Sequence, residues 1–466
     1  MRDKRVLMRL FALLFAFVLL AAACGDDDDS GDGGDNGGGE TDTTEAEGGG
    51  DGGDTTEAGG DGEATGSLAG WRGTTPLPEL TPEVEAFQAR MDEVDPNLQD
   101  YNYGPESYDA AIVIALAAQI ADDDGSAHAA EIVGVTKEGE KCTTYADCLA
   151  LVEAGEDIDY DGVSGPHEFS GNGEPTVGSY GVLQFGEDNR IDDELTEFKT
   201  IEAPAEVADI PLAETEVDRA GNGVLTIGTL LPETGSLAFL GPPEVAGVQV
   251  AVNEINEAGG FNGQDVELVL ADSGDTTTDI ASQSVDRLLS QNADAIIGAA
   301  SSGVTLTVID AVVNAGVTMF SPANTSKELS TYDDKGLYFR NAPSDILQGA
   351  VLAEVIAEDG NASIAVLNLD DSYGNGLAED LQSSFEEAGG EVLTIVPYSP
   401  DAQTFESEVN EVVGEDPDAI VVIGFEESAR IVSELIKQGY GPADVPIYGT
   451  DGNMGNATGE TFEAEG

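Results

Sequence analysis

The sequence is short of basic residues and of histidine. It has 17 lysines and arginines and 2 histidines against 92 aspartates and glutamates, which gives a formal net charge of -75 at pH 7. A surface this acidic repels phosphate groups, so nucleic acid is not expected as a partner. The acidic excess is explained either by solubility alone or by life at high salt, where screening weakens the repulsion between carboxylates.

The sequence also lacks the short motifs that carry enzyme chemistry. It has no Gly-x-Ser-x-Gly elbow and no Gly-Lys-Ser phosphate loop, and its 3 cysteines lack zinc-site partners. We therefore expect a protein that is not an enzyme and that needs no cofactor.

Long apolar runs are also scarce. The one from Leu10 to Leu20 follows several basic residues and is too short to span a membrane comfortably. It leads into Ala-Ala-Ala-Cys at 21–24, which resembles the lipobox whose cysteine is acylated. We expect residues 1–24 to be a lipoprotein signal peptide that leaves the protein outside the cytoplasm, anchored to the membrane through Cys24. Ordinary cleavage after the alanines is the alternative.

The next segment, 25–66, consists of Gly, Asp, Glu and Thr with almost nothing apolar. It cannot bury enough surface to offset the entropy of ordering, so we expect a disordered acidic tether. A flexible coil of this length spans roughly 35 Å. The remainder of the chain is long enough for two domains with cores of their own.

With Cys24 acylated, two cysteines remain, Cys142 and Cys148. An even pair in an exported chain indicates a disulfide, and the short separation makes it a local bridge. Two buried free thiols are the alternative.

From residue 224 to residue 449, short β-rich runs alternate with segments of helical spacing. This alternation predicts βαβ units and parallel sheets. The predicted strands are 224–230, 266–271, 295–298, 317–320, 364–369, 391–396, 419–423 and 447–449. The predicted helices are 243–258, 278–291, 303–315, 344–358, 375–388, 403–413 and 427–438. The earlier block predicts helices over 82–94, 105–122 and 145–155, and strands with Gly-rich turns over 162–185.

Two loops in this pattern are rich in hydroxyls. Ser301-Ser302-Gly303 follows the predicted strand 295–298, and 321–325 (Ser-Pro-Ala-Asn-Thr) follows 317–320. Loops at the carboxyl ends of parallel strands bind small ligands, and the N–H groups at a helix start favour an anion. Hydroxyls and backbone amides there suit a carboxylate.

Three stretches resemble the branched-chain amino-acid binding proteins, which are receptors for ABC importers with the type I periplasmic binding fold. They are VLTIGTLLPETGSLAFLG (224–241), GGFNGQDVELVLADS (259–273) and MFSPANTSKELS (319–330). The resemblance implies two α/β lobes, each a mostly parallel sheet flanked by helices. It also implies a ligand between the lobes, which close by a hinge motion.

The resemblance further implies which residues hold an amino-acid head group. Ser302 is expected to bind the carboxylate, with a helix-capping role as the alternative, while Ala323 and Thr325 supply further polar contacts. Asp451, in YGTDGN (448–453), stands where the family carries an acid that pairs with the ligand's ammonium. The family often has Glu there, so the shorter side chain leaves the exact ligand open.

The pocket walls are implied in the same way. The expected wall residues are Tyr373, Phe425, Tyr103 and either Phe239 or Leu240. Aromatic walls bury an apolar side chain and exclude water.

The order of the two blocks is rotated relative to the family. Residues 67–199, including YGPESYDAAIVIALA (103–117), resemble the closing part of the fold, whereas 223–466 resemble its opening part. We expect a circular permutation with 200–222 as the linker. The alternatives are two half-receptors that complement each other between chains and a misassembled gene.

One motif points elsewhere. Asp157, Asp159 and Asp161, followed by Glu168, satisfy the EF-hand calcium-loop pattern. Pro166 lies inside the loop, however, and the Gly/Pro-rich sequence that follows cannot form the exit helix. We therefore expect no metal site, with calcium as the weaker alternative.

Together these features predict a lipid-anchored solute-binding protein. It captures a small amino acid of the branched-chain type, or a related carboxylate, and delivers it to a membrane ABC permease. The alternatives are a receptor for amides, urea or aromatic acids, a ligand sensor without a transport role, and an inactive surface lipoprotein.

Overall fold

The structure, a computed structural model, describes residues 67–215 and 217–465. The predicted signal peptide 1–24, the lipidation of Cys24 and the tether 25–66 lie outside the described residues. Within the described ranges, no helix combines the length and the apolar character that crossing a bilayer requires.

The described residues form two large sheets and one small one, flanked by helices. The strands are β1 (Arg72–Pro76), β2 (Glu140–Cys142), β3 (Ile158–Gly162), β4 (Gly165–Pro166), β5 (Val177–Gln184), β6 (Glu197–Glu202), β7 (Thr226–Leu230), β8 (Glu267–Val269), β9 (Ala295–Gly298), β10 (Thr318–Ser321), β11 (Tyr338–Arg340), β12 (Ser363–Leu369), β13 (Glu391–Tyr398), β14 (Ala419–Ile423) and β15 (Ile447–Gly449). The helices are α1 (Pro82–Val94), α2 (Gly104–Ala121), α3 (Ile132–Val135), α4 (Tyr145–Ala154), α5 (Ala205–Ala208), α6 (Gly241–Glu257), α7 (Ile280–Ser290), α8 (Ser302–Asn314), α9 (Asp345–Glu358), α10 (Ser372–Glu387), α11 (Glu406–Gly414), α12 (Ser428–Lys437) and α13 (Asn456–Glu465). Each strand and helix predicted between 224 and 449 has its counterpart here, and the α/β class is confirmed.

The seven-stranded sheet has the order β13-β12-β14-β15-β1-β5-β6. The strand β1 pairs in parallel with β15, opposing Arg72 to Tyr448, and antiparallel with β5. Strands from the early block (67–199) and the late block (223–466) therefore lie in this one sheet. We call it, with its packed helices, the seven-stranded lobe.

The five-stranded sheet has the order β11-β10-β9-β7-β8, and all its pairings are parallel. A parallel sheet needs both faces covered, and its strands accordingly read as continuous apolar runs such as Ala295–Gly298. The helices α2 and α6 share the hydrophobic core of this sheet. We call this assembly the five-stranded lobe.

Each lobe has one hydrophobic core, and each core contains residues of both sequence blocks. In the five-stranded lobe, Tyr108 and Ile112 belong to the same cluster as Val248 and Ile255. In the seven-stranded lobe, Trp71 and Tyr180 share a cluster with Ile420 and Tyr448. The two blocks of this single chain thus form common cores.

The helices α2 and α6 approach each other closely at glycines. A Cβ added to Gly247 would lie 2.1 Å from the carbonyl oxygen of Gly104, so a larger residue cannot occupy that position without separating the helices. This contact packs the first turn of α2, which follows Tyr103, against the second turn of α6, which follows Leu240.

The segment expected to be a linker differs from a simple connection. Its first residues, 200–202, form the end of the edge strand β6, and α5 follows. The backbone of Gly171 then exchanges hydrogen bonds with Ile210 and Ala213, both at 3.0 Å. The expected linker, whose sequence shows no helical or strand periodicity, is therefore held to the rest of the protein by backbone hydrogen bonds.

Farther along, this segment is fastened by side chains. The Arg219 guanidinium lies 2.7 Å from the carboxylate of Asp294, which is fully buried. The carboxylate of Asp124 accepts hydrogen bonds from the backbone N–H groups of Asn222 and Gly223, at 2.7 and 2.9 Å.

The structure joins Cys142 and Cys148 in a disulfide with an S–S distance of 2.09 Å. Cys142 ends β2 and Cys148 lies in α4, so the bridge ties a short strand to the helix that follows it.

Candidate ligand-binding cleft

The first wall of the cleft lies at the start of α8. The hydroxyl of Ser301 accepts a hydrogen bond from the N–H of Val304 at 3.3 Å and so caps this helix. The hydroxyl of Ser302, which is buried, instead accepts a hydrogen bond from the N–H of Ser326 at 3.3 Å. Helix capping, the alternative role considered for Ser302, is therefore carried out by Ser301. Ser302 instead links the loop after β9 to the loop after β10.

The second loop of this wall follows β10 and is fixed by short hydrogen bonds. The Ser321 hydroxyl donates to the carbonyl of Ala299 at 2.7 Å and accepts from the N–H of Asn324 at 2.9 Å. The side-chain amide of Asn324 donates to the carbonyl of Ala300 at 2.7 Å. These bonds tie the second loop to the first and hold the segment that carries Thr325.

A buried ion pair supports the same loop from behind. Arg340 donates to the carbonyls of Asn324 and Ser326, at 3.2 and 2.9 Å, which flank Thr325. Its Nε also donates to the carboxylate of Glu174 at 2.8 Å, and both side chains are almost fully buried. Burial raises the pKa of Glu174, but the Arg340 charge and hydrogen bonds to the carboxylate outweigh it and leave that pKa below its ordinary value.

Sequence reasoning missed this ion pair. Arg340 lies in β11, which was not predicted, and Glu174 lies in a Gly-rich turn of the early block. The signal that could have found it is an arginine at the end of the apolar run Leu337–Phe339, because a charged residue buried there needs a partner.

The second wall is built around Asp451, which follows β15. Its side chain is buried at 4% exposure, and it accepts hydrogen bonds from the hydroxyls of Tyr103 and Tyr373, each at 2.7 Å. Burial raises the pKa of Asp451, and the hydrogen bonds from the two tyrosines offset that rise in part. Among the described residues, no ammonium or guanidinium group pairs with this carboxylate.

Aromatic rings complete the second wall. Tyr373 and Phe425 stack with ring centroids 5.4 Å apart and an angle of 11° between the planes. Tyr103 precedes α2 with a left-handed φ of 58°, which is uncommon for a bulky residue. Its hydroxyl reaches Asp451 from the start of α2, whereas Tyr373 reaches it from the first turn of α10.

The two walls enclose a cavity of about 20 Å³, here called the head-group cavity. The predicted residues that line it are Tyr103, Ser302, Ala323, Thr325, Tyr373, Phe425 and Asp451. Leu237, Leu240 and Ser301 line it as well. Of the two alternatives for one wall position, Leu240 lies in the cavity, whereas Phe239 is not among its lining residues and lies beside Gly455.

The lobes touch each other across the cleft. The Ser326 hydroxyl donates to the carbonyl of Ser372 at 3.1 Å, and the Lys327 ammonium lies 2.9 Å from Asp380 and 3.1 Å from Glu379. A cavity of this size holds about one water-sized group, so an amino acid can enter only if the lobes separate.

The acidic residues of the calcium-loop pattern surround a lysine. The Lys141 ammonium lies 2.9 Å from Asp159, 3.0 Å from Asp161 and 3.6 Å from Glu168. Residues 158–162 form the strand β3 rather than a loop, and Asp157 precedes it. An ammonium group therefore occupies the position among these carboxylates that a metal ion would need.

Comparison with known proteins agrees with this architecture. The periplasmic binding protein family matches residues 224–462. The substrate-binding protein BasB of a chemotactic signal transduction system, from Halobacterium salinarum, is 32% identical over 230 residues, which cover 47% of this chain and 54% of that protein. A Leu/Ile/Val-binding protein from Rhizobium johnstonii is 26% identical over 252 residues, which cover 53% of this chain and 65% of that protein.

A solved structure is similar as well. It is the branched-chain amino acid transporter substrate binding protein LivJ from Streptococcus pneumoniae in complex with isoleucine. The identity is 30%, with 52% of this chain and 68% of that chain covered, and the TM-score is 0.46.

The chain spans less than two thirds of the length of the two curated relatives. The family match covers half of the chain, from the start of the five-stranded sheet to the C-terminal helix. The predicted resemblance to the branched-chain amino-acid binding proteins and the type I fold class are confirmed, and the absence of enzyme motifs agrees with a family of binding proteins. The chain belongs to the periplasmic binding protein family.

Proposed function

We propose that this protein captures a small amino acid of the branched-chain type between its two lobes, outside the cytoplasm. One observation carries the proposal: a buried carboxylate, for which the described residues offer no cationic partner, faces hydroxyls and helix-start amides across one cavity. Asp451 suits an ammonium group, and Ser302 with the start of α8 suits a carboxylate. The two walls together complement a zwitterion.

The mechanism follows from the lobe contacts. The ligand binds between separated lobes and favours closure because only the closed arrangement brings both walls to it. An incoming ammonium stabilises the ionised form of Asp451, which opposes the rise in pKa that burial causes. No bond is made or broken.

Delivery to an ABC permease, with anchoring through a lipidated Cys24, belongs to the same proposal. The anchor is supported by the lipobox-like sequence at 21–24, and the binding role outside the cytoplasm by the match to the periplasmic binding protein family. A transport role predicts that disruption of a partner permease abolishes uptake of the ligand, whereas Cys24→Ser releases the protein from the membrane fraction.

A sensor role is the second candidate, and one comparison favours it. BasB, at 32% identity, is named as part of a chemotactic signal transduction system. The cleft chemistry would be the same, but the closed form would dock on a membrane signalling partner. Ligand uptake that persists without this protein, together with loss of a taxis response, separates this role from transport.

We also propose that 67–199 and 223–466 are the closing and the opening part of the family fold in permuted order, joined by 200–222. Support comes from the family match, which begins at 224, and from the pairing of β1 beside β15. A rearranged gene that runs from 223 to 466 and then from 67 to 199 is expected to give a monomer with unchanged ligand affinity. A dimer of the original chain in solution contradicts this proposal and favours swapping between chains.

The ligand itself is tested by isothermal titration calorimetry of the full chain. Leucine, isoleucine and valine are compared with urea, acetamide and benzoate, which represent the other ligand classes. Saturable heat from the amino acids supports the proposal. Binding of an amide or an aromatic acid alone replaces it with the corresponding receptor, and no binding at all favours an inactive surface protein.

A further inference from the structure

A large groove between the lobes has no part in the proposed capture of a ligand. Its volume is about 570 Å³, against about 20 Å³ for the head-group cavity. One wall is the antiparallel hairpin β5–β6 of the seven-stranded lobe, which contributes Val177, Ser179, Phe198 and Thr200. We call it the rear groove.

The opposite wall of the rear groove belongs to the five-stranded lobe. It contains Thr143 and Thr144, which precede α4, and the turn 161–166 around β4. Tyr160, next to this turn, belongs to the hydrophobic core of the five-stranded lobe, and Val163 packs against that core. Both lobes therefore bound the rear groove, as they bound the head-group cavity, and its width depends on how the lobes are arranged.

The chain crosses between the lobes in the region that separates these two sites. Residues 77–81 lead from β1 to α1, 167–176 lead from β4 to β5, and 341–344 lead from β11 to α9. The expected linker follows β6 and is bonded to the second crossing at Gly171. In the seven-stranded sheet, residues after β12, β14 and β15 line the head-group cavity, whereas β5 and β6 line the rear groove. The strand β1 lies between these two sets of strands, so the crossings form a pivot between the two sites.

Two sites on opposite sides of a pivot change width in opposite directions. Closure of the lobes over a ligand moves the β5–β6 hairpin away from Thr143 and from the turn 161–166, whereas separation of the lobes brings these two walls together. The structure agrees with this geometry. The lobes touch across the cleft through Ser326 and Ser372, the head-group cavity is small, and the rear groove is wide.

We propose that the rear groove sets the balance between open and closed lobes, and through it the ligand affinity, from outside the binding site. Side chains that fill the groove obstruct the open arrangement and so favour the closed one. The proposal rests on the proposed function, because capture by closure is the step that the groove adjusts. The measured Kd includes the free energy of closing the lobes, so a change in that free energy changes the Kd without any change in ligand contacts. The short side chains of Thr143, Ser179 and Thr200 leave room for the walls to approach.

The test fills the rear groove from either wall with Thr143→Trp or Thr200→Trp. Both threonines are exposed, so neither substitution disturbs a hydrophobic core. Calorimetry of the full chain is expected to show that each variant lowers the Kd for leucine about fivefold, because a larger fraction of the protein is closed. The same factor should apply to isoleucine and valine, since the new side chain does not touch the ligand. The control is Thr331→Trp, at an exposed threonine that lines neither site, which should leave every Kd unchanged.

Hydrogen exchange of the ligand-free full chain gives a readout that needs no ligand. The segments 324–328 and 371–375 meet across the cleft, so their backbone amides should exchange more slowly when the lobes stay closed. Thr200→Trp is expected to slow exchange in both segments. Lys327→Ala removes the contact of the lysine with Asp380 on the other lobe and should instead speed exchange, which calibrates the measurement.

The outcomes separate the two proposals. If the wild type binds leucine and both groove variants keep its Kd and its exchange rates, the rear-groove proposal is wrong and the proposed function stands. Weaker binding in both variants, or an equal gain in Thr331→Trp, also contradicts the rear-groove proposal. If no amino acid binds the wild type, the proposed function fails. Hydrogen exchange then decides alone: slower exchange in Thr200→Trp supports control of the lobes by the groove, and unchanged exchange overturns it.

Discussion

The two walls of the cleft are built in different ways. In the five-stranded lobe, the wall is made of loops whose hydrogen bonds join residues close in sequence, such as Asn324 and Ala300, which are 24 residues apart. In the seven-stranded lobe, the bond from Tyr103 to Asp451 joins residues 348 apart. The first wall is held mainly by contacts to backbone atoms, and the second by contacts between side chains. The first wall should therefore be most sensitive to substitutions of the residues that hold its loops in place. The second wall should be most sensitive to loss of the charge on its own carboxylate.

The largest effect is expected from a substitution that removes the support of the first wall. Glu174→Ala leaves the Arg340 guanidinium buried without its carboxylate, and removal of one partner of a buried ion pair costs about 3–5 kcal/mol of stability. Urea denaturation followed by circular dichroism measures the loss. Glu354→Ala is the matched control, because it removes an exposed carboxylate that pairs with Lys199. Equal stability of the two variants would contradict the supporting role.

The second prediction concerns removal of the negative charge of the second wall. Asp451→Asn should weaken binding of an amino acid by about 2–5 kcal/mol, as expected for loss of one partner of a buried charge pair. The same variant should unfold at the same temperature or a higher one at neutral pH, because burial disfavours the ionised carboxylate. Calorimetry and thermal unfolding measure the two effects separately. An unchanged Kd would show that Asp451 does not contact the ligand.

The third prediction concerns the base of the second wall, where α2 begins. Burial raises the pKa of Glu106 to about 8, and Oε2 of Glu106 and both carboxylate oxygens of the buried Glu244 have no hydrogen-bond partner among the described residues. Between pH 4.5 and pH 8, the folded protein therefore retains a proton that the unfolded chain loses, and its stability falls as pH rises. At pH 7, this costs about 3 kcal/mol.

Glu106→Gln should remove that dependence. We expect the variant to be more stable than the wild type at pH 7 and equally stable near pH 4.5, as measured by unfolding midpoints across that range. Glu85→Gln, an exposed glutamate in α1, serves as the control. A difference that is the same at all pH values would mean that the effect comes from packing rather than from the proton.

The smallest effect is expected from one hydroxyl of the first wall. Ser302→Ala removes a single hydrogen-bonding group, so binding should weaken by about 1 kcal/mol, or roughly fivefold. Helix α8 should remain intact, because Ser301 provides its cap. Ser301→Ala, in contrast, should lower stability through loss of the cap. Calorimetry and thermal unfolding of the pair distinguish the two serines, and equal behaviour would contradict their assignment.

The sequence predicted the first wall better than the second. The loops after β9 and β10 follow directly from the alternation of strands and helices, and the family resemblance placed Ser302 and Thr325 on them. Which of the two serines caps α8 depends on backbone geometry at a single residue, which the sequence pattern does not contain. Arg340 and Glu174 were missed because they are 166 residues apart and meet only in the folded protein.

The second wall needed tertiary information throughout. Asp451 and Tyr373 were predicted from resemblance, but their hydrogen bond follows from neither periodicity nor spacing. The choice between Phe239 and Leu240 turned on the exact start of α6, which differs from the predicted start by two residues. The strand β6 was assigned in part to the linker because its edge position leaves it polar and partly exposed.

The long separation between Tyr103 and Asp451 has a consequence for biogenesis. During synthesis, Tyr103 is made 348 residues before its partner Asp451. In the same way, β1 cannot form its parallel pairing until β15 has been made. Contacts this far apart slow folding, because a large loop must close before they form. The seven-stranded lobe should thus be the last part of the molecule to fold. A chain truncated within β14 should bind chaperones or be degraded by proteases rather than accumulate as a folded fragment.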